Sequence, residues 1–175
     1  GKDNFIDDFD ALSIVPVSIS YEYEPCDLLK TKEIYISRRK KYVKAPGEDL
    51  NSILTGIMQF KGNIHIDFCN PISKEEIENC AGLEKNERFK ALAEVLDKEI
   101  VTSFQLWKNN YIAYDILYKS DKYSSKYSAT DKQEFVSYYK YKLSEVEGDA
   151  KEMEEIFLSI YANPIITKEK YYLNK

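Results

Sequence analysis

A single histidine, His65, occurs in the 175 residues, which leaves little room for imidazole chemistry. Cysteine is nearly as scarce: Cys26, Cys69 and Cys80 are odd in number and form no Cys-x-x-Cys pair. A disulfide framework and a zinc site both need more than that. The three read as small buried thiols of a reducing cytoplasm. The glycines, at 1, 47, 56, 62, 82 and 148, are scattered, so no glycine-rich phosphate loop can be built from them. No run of about 18 uncharged apolar residues is present to cross a bilayer. The first residues carry Asp3, Asp7, Asp8 and Asp10 and show no signal-peptide pattern. Gly1 has no methionine before it, which predicts a start that was processed, tagged or cut. No metal and no cofactor is expected.

What is present is a chain 43% hydrophobic and 31% charged, enough apolar content for one compact domain. Tyrosine is abundant, and the run Tyr138-Tyr139-Lys140-Tyr141-Lys142 has the look of a base-stacking surface. The net charge of −5 speaks against nucleic acid as a partner. The charge is uneven. Residues 30–44 hold seven bases, Lys30, Lys32, Arg38, Arg39, Lys40, Lys41 and Lys44, against the single acid Glu33. Arg38, Arg39, Lys40 and Lys41 are therefore candidates for contact with an anionic surface. The plainer reading of such a run is a solvated helix face balanced by nearby acids.

Periodicity places the elements. Residues 1–11 carry no pattern and read as a flexible lead-in. Residues 12–23 read as a strand, with Val15, Val17, Ile19, Tyr21 and Tyr23 on one face and Ser18, Ser20 and Glu22 on the other. Pro16 should mark its start, an edge or a bulge. Asp27 is placed to cap a helix over 28–44, which Ala45-Pro46-Gly47 ends. A second helix spans 48–58, with Leu50, Ile53, Leu54 and Ile57 as its stripe. A second strand follows over 63–68, where Ile64, Ile66 and Phe68 alternate with His65 and Asp67. The remainder reads as helix: 86–106, 110–118, a segment opened by the capping box Ser128-Ala129-Thr130-Asp131, and a last one stopped by Asn163-Pro164. The segmentation is 1–11, 12–82 and 83–175. Two strands are too few for an independent sheet, so further strands are expected beside them, from upstream sequence or from a second copy.

Catalytic chemistry is hard to assemble. Asp67 shares a strand face with His65, and the pair could act as an oriented base, but no Ser or Cys elbow lies nearby. A polar pair on a strand face is the plainer account. Trp107 reads as core or interface.

The ordered segments carry a resemblance. Ile14-Val15-Pro16-Val17-Ser18-Ile19 resembles the fourth conserved block of the glycerol-phosphate and lysophosphatidate acyltransferases. Lys61 to Phe68, with Pro71-Ile72, resembles a later strand of that family. Ser20-Tyr21-Glu22-Tyr23-Glu24-Pro25-Cys26-Asp27 and Asn110-Tyr111-Ile112-Ala113-Tyr114-Asp115 resemble a bacterial branch with an extended C-terminal part. The set covers about residues 12 to 165. The pattern gives an α+β chain with two long strands, five to six helices and a helix-rich C-terminal half, and the resemblance implies that it is a fragment of an α/β acyltransferase fold.

The family's catalytic His-x-x-x-x-Asp block lies upstream of the Val-Pro-Val strand and has no counterpart here. Position 70 is Asn70, so His65 does not fill it. By resemblance only Val15, Pro16 and Val17 carry over, as a strand near the acceptor pocket. The implied parent enzyme transfers an acyl chain from acyl-CoA or acyl-carrier protein to an acylglycerol phosphate. The implied partners are a catalytic N-terminal part, a second copy, and an anionic membrane surface at which the protein sits peripherally. The competing expectation is a stand-alone, non-catalytic binding module derived from that family. A hydrolase using His65 and Asp67 is a third.

Overall fold

The computed structural model describes residues 4–173. Along them run α1 (Phe5–Ala11), β1 (Val17–Tyr21), α2 (Asp27–Ser37), α3 (Glu48–Met58), β2 (Ile64–Phe68), α4 (Lys74–Ala81), α5 (Lys85–Ser103), α6 (Lys108–Leu117), α7 (Ala129–Ser144) and α8 (Ala150–Leu173). The fold is α+β and rich in helix. Eight helices replace the expected five to six among the described residues, and each strand is five residues long rather than extended.

The differences have local causes. Residues 5–11, expected as a loop, form α1 because Phe5 and Phe9 stand one turn apart. Their rings lie 4.7 Å from each other, and that of Phe5 lies 5.4 Å from Phe89. α4 starts at a capping box, in which the Ser73 hydroxyl accepts from the Glu76 N–H and the Glu76 carboxylate accepts from the Ser73 N–H. α2 stops at Ser37 instead of 44. Its apolar spacing ends at Ile36, four adjacent cations follow, and Pro46 disfavours helix at the residue before it. α8 runs through Pro164, where a stop was expected. Ile156, Phe157, Tyr161, Ala162 and Ile165 are all buried along one stripe. Roughly 1.5–3 kcal/mol for each large apolar side chain outweighs the ~3 kcal/mol that an interior proline costs. The capping box at Ser128–Asp131 opens α7 as the spacing predicts.

The chain divides into two compact units, neither of which coincides with 12–82 or 83–175. One holds the residues up to Ser20, His65–Gln105 and those from Lys168; the other holds Tyr21–Ile64 and Leu106–Thr167.

In the first unit Phe5, Ile72, Ile77, Cys80 and Leu92 form the core. The two strands pair antiparallel. The Pro16 carbonyl accepts from the Cys69 N–H at 3.0 Å, and the Asn63 carbonyl accepts from the Glu22 N–H at 2.9 Å. That register sets Ser18 opposite Asp67 and Ser20 opposite His65. The expected faces are present, but the polar one points inward. Ser18 and Ser20 are buried, while Val17, Ile19, Ile66 and Phe68 are exposed, Phe68 to 73%. In the mostly apolar run 12–17, Leu12, Val15 and Val17 are exposed. The reason lies near the end of α5, where backbone carbonyls accept from side chains of the sheet and of the residue that follows it. The Ser18 hydroxyl donates to the Ile100 carbonyl at 2.9 Å, and the Cys69 thiol to the Glu99 carbonyl at 3.6 Å. α5 itself turns inward Arg88 and Leu92 and leaves Ala93 exposed.

In the second unit Ile112, Ala113, Phe135, Tyr139, Phe157, Leu158, Tyr161 and Ala162 form a core made by α6, α7 and α8. α3 is also turned inside out. Ser52, Thr55 and Gly56 are its better-covered positions, whereas Leu50, Ile53, Leu54, Ile57 and Met58 are exposed. The small inner face permits close approach: the Cys26 thiol donates to the Ser52 carbonyl at 3.6 Å, and a Cβ on Gly56 would lie 3.8 Å from that sulfur.

Candidate functional site

The most closely knit polar cluster lies in the second unit. It is built from the segment Tyr21–Asp27, the turn at Asn63, the start of α6, and one face each of α7 and α8. Asp27 is its centre and is fully buried. It is not the cap of α2 but its first residue. Its Oδ1 accepts from the Leu28 N–H at 2.7 Å, and its Oδ2 accepts from the hydroxyls of Tyr138 at 2.7 Å and Tyr161 at 2.9 Å. Tyr161 in turn accepts from the Glu24 N–H at 3.0 Å. Burial raises the Asp27 carboxyl above the ordinary range, although the two tyrosines pull it back. Burial and the neighbouring carboxylate push both tyrosines up.

Two asparagines tie the cluster to α6. Asn109 donates to the Glu22 carbonyl at 2.7 Å, and Asn110 to the Tyr161 carbonyl at 2.8 Å. The side-chain Oδ1 of Asn110 accepts from the backbone N–H of Trp107, a half-buried residue. The Glu22 carboxylate accepts from the backbone and side chain of Asn63, at 3.1 and 2.7 Å. Asp115 closes a second knot, accepting from the hydroxyls of Ser120 at 2.7 Å and Tyr127 at 2.9 Å. Burial and that bond push Tyr127 up to about 12. Of the segments 20–27 and 110–115, singled out together in the sequence, all but Ser20 thus lie in one unit, as the polar frame of its packing. Asp27 is closed to any substrate, and its bonds are those of a structural carboxylate.

His65 and Asp67 share one side of the sheet, as the alternation predicts, and it is the inner one, but no hydrogen bond joins them among the described residues. Instead the His65 Nδ1 and the Ser20 Oγ are buried without a hydrogen-bond partner. No oriented base is assembled there. Burial raises the thiols of Cys26 and Cys80, away from the reactive thiolate. Among the described residues no group of three or more His, Cys, Asp or Glu could hold a metal ion.

Val15 and Val17 stand on the exposed side of the sheet, and Pro16 is buried between them. A cavity of about 440 Å³ in the first unit is lined by Phe5, Asp7, Lys74, Glu78 and Arg88 among others. One of about 260 Å³ in the second lies against Tyr139, Leu143, Val146 and Met153. Neither is lined by histidine or cysteine.

Lys30 and Lys32 of the basic run lie on α2, and the other five bases, from Arg38 to Lys44, occupy the turn and loop after it. Arg38 and Arg39 both reach Glu152, Arg38 at 3.3 Å. Lys44 meets Asp49 at 2.6 Å. Lys40 and Lys41 are exposed. No helix of the described residues is long and apolar enough to cross a membrane.

The outward apolar faces of β1, β2 and α3 were not foreseen. Periodicity reveals that an element has two faces, and the direction each faces depends on neighbours that the pattern does not encode. No protein-family model, no curated protein and no solved structure matches this chain.

Proposed function

We propose that this chain is a non-catalytic segment of a glycerolipid-synthesising acyltransferase, one that completes the sheet and helical packing of a catalytic part supplied elsewhere. The observation that carries the proposal is the sheet. Its apolar side, Val17, Ile19, Ile66 and Phe68, is open, and both strands are edges of a two-stranded sheet. A sheet of this size with an uncovered apolar face needs further structure on it. The ordered resemblance of residues 12–165 supplies the chemistry of the parent: transfer of an acyl group from a CoA or carrier-protein thioester to the hydroxyl of an acylglycerol phosphate. The general base on that hydroxyl is the histidine of the catalytic part. Val15, Pro16 and Val17, which lead into β1, would approach the acceptor.

Two measurements test this. The isolated chain should release no thiol from acyl-CoA in the presence of lysophosphatidate; turnover by the chain alone would overturn the non-catalytic role. In lysate of its source, an antibody to the chain should find a band well above 20.5 kDa. A band at that size would remove the parent enzyme.

A second reading is a stand-alone binding module. It is favoured by the two buried clusters, each closed by residues of this chain. The open sheet would then be covered by a partner protein or by a second copy.

A further inference from the structure

We propose that α3 and the loop before it form a docking site for an anionic lipid surface. The proposal stands on the geometry of the second unit and does not depend on the acyltransferase reading.

α3 carries Leu50, Ile53, Leu54, Ile57 and Met58 at the spacing of one helical face. None of its residues is buried. Ile57 is 68% exposed, Met58 79%, and Phe60 just beyond the helix 69%. The opposite face is small and polar and rests on Cys26 through Ser52 and Gly56. The helix is therefore fixed to the unit by its less apolar side and presents its apolar side outward. An amphipathic helix lying in a membrane interface has that arrangement.

The charges select the occupant. Residues 38–61 hold six bases, Arg38, Arg39, Lys40, Lys41, Lys44 and Lys61, and two acids, Glu48 and Asp49, for a net +4, in a chain of net −5. Glu48 is engaged by the Tyr42 hydroxyl and the Ala45 N–H. Lys61 stands at the far end of the helix, bonded to the carbonyls of Ile57 and Gln59 at 2.9 Å. Cations thus flank the apolar stripe at both ends. Arg38 and Arg39 are engaged by Glu152 and Lys44 by Asp49, so the outward positive charge before the helix rests on the exposed Lys40 and Lys41; a second copy docked on this face about a two-fold axis would set these lysines against their counterparts, which opposes association. Anionic headgroups over an acyl layer match both the charge and the apolar stripe.

The test is co-sedimentation of the full chain with vesicles of phosphatidylcholine alone and of phosphatidylcholine mixed with phosphatidylglycerol. Binding is expected to the anionic vesicles and to weaken with salt. Lys40→Glu with Lys41→Glu should weaken it at least about tenfold, since each base near such a surface contributes about 1 kcal/mol. Ile53→Gln with Ile57→Gln should weaken it by a similar factor through lost apolar burial. Both pairs are exposed, so circular dichroism should match the parent chain. Phe60→Trp supplies a second readout, a blue shift of emission with anionic vesicles only. Absence of binding, equal binding to both vesicles, or binding unchanged in both double variants would overturn the proposal. So would a dimer that Ile53→Gln with Ile57→Gln dissociates, which would assign the face to a second copy. Thiol release from acyl-CoA is a separate readout, so loss of the acyltransferase reading leaves this result interpretable.

Discussion

The Tyr161 hydroxyl lies 2.9 Å from Asp27, a residue 134 positions earlier in the chain, on the carboxylate oxygen that Tyr138 bonds at 2.7 Å. One buried carboxylate thus joins the first turn of α2 to α7 and α8. Asp27→Ala should cost about 3 kcal/mol or more, because it strands two buried hydroxyls and the Leu28 N–H. Chemical denaturation of the variant beside the parent measures it; a loss below ~1 kcal/mol would mean that water replaces the carboxylate.

The same carboxyl has a pH signature. Its folded value is raised by burial above the unfolded value of ~3.9. The stability linked to it is fully present below the unfolded value and is lost as pH rises through the folded value. Glu76 and Asp131 behave in the opposite sense. Hydrogen bonds hold both carboxyls low, those of Ser73 on Glu76 and of Lys108 and Ser128 on Asp131, so their contribution is lost as pH falls. Carboxyl NMR should find Asp27 titrating above the ordinary carboxylate range and these two below it. An Asp27 midpoint at or below ~3.9 would contradict the burial seen here.

Gly62 has a φ of +62°, and a Cβ there would come within 2.7 Å of the Glu22 Oε2 and 3.0 Å of the Tyr23 ring. Glu22 cannot easily yield, since its carboxylate holds both the backbone and the side chain of Asn63. Gly62→Ala should destabilise by roughly 1–3 kcal/mol, read as a lower thermal midpoint.

Pro164→Ala should do the reverse. It restores an N–H within a continuous helix at a half-buried position. A gain of roughly 1–3 kcal/mol is expected; no gain would mean that the helix is already adapted to the missing donor.

The open sheet predicts association of the isolated chain. Light scattering at rising concentration should report a dimer or larger species, and Ile19→Lys with Ile66→Lys should return it to monomer at little cost in stability, since both side chains are exposed. A parent chain that stays monomeric at high concentration would contradict the prediction.

Much of the fold was legible where a single local interaction decides it. The capping box at Ser128–Asp131 and the stripe that bounds α3 at 48–58 match the structure to within a residue. Signals that compete with tertiary burial misled. Pro164 reads as a stop, yet Ile165 beyond it is buried; the acidic stretch 7–10 reads as a loop, yet Phe5 anchors it as helix. The roles of Asp27, Asn109 and Asn110 were out of reach because each depends on partners far along the chain. The orientation of the sheet was hidden for a related reason. Ser18 turns inward to meet a carbonyl at the end of α5, which no pattern in residues 12–23 can announce.

The division into interleaved segments also sets a timetable for synthesis. A growing chain carries Asp27 for 111 residues before Tyr138 exists to bond it, and the strip at Tyr21–Ile64 has no α6–α8 core to pack on until the second half has been made. Until then its uncompensated carboxylate is exposed on the ribosome. Chains arrested short of Tyr161 should therefore be open to protease throughout residues 21–64, and protection should arrive late and in one step.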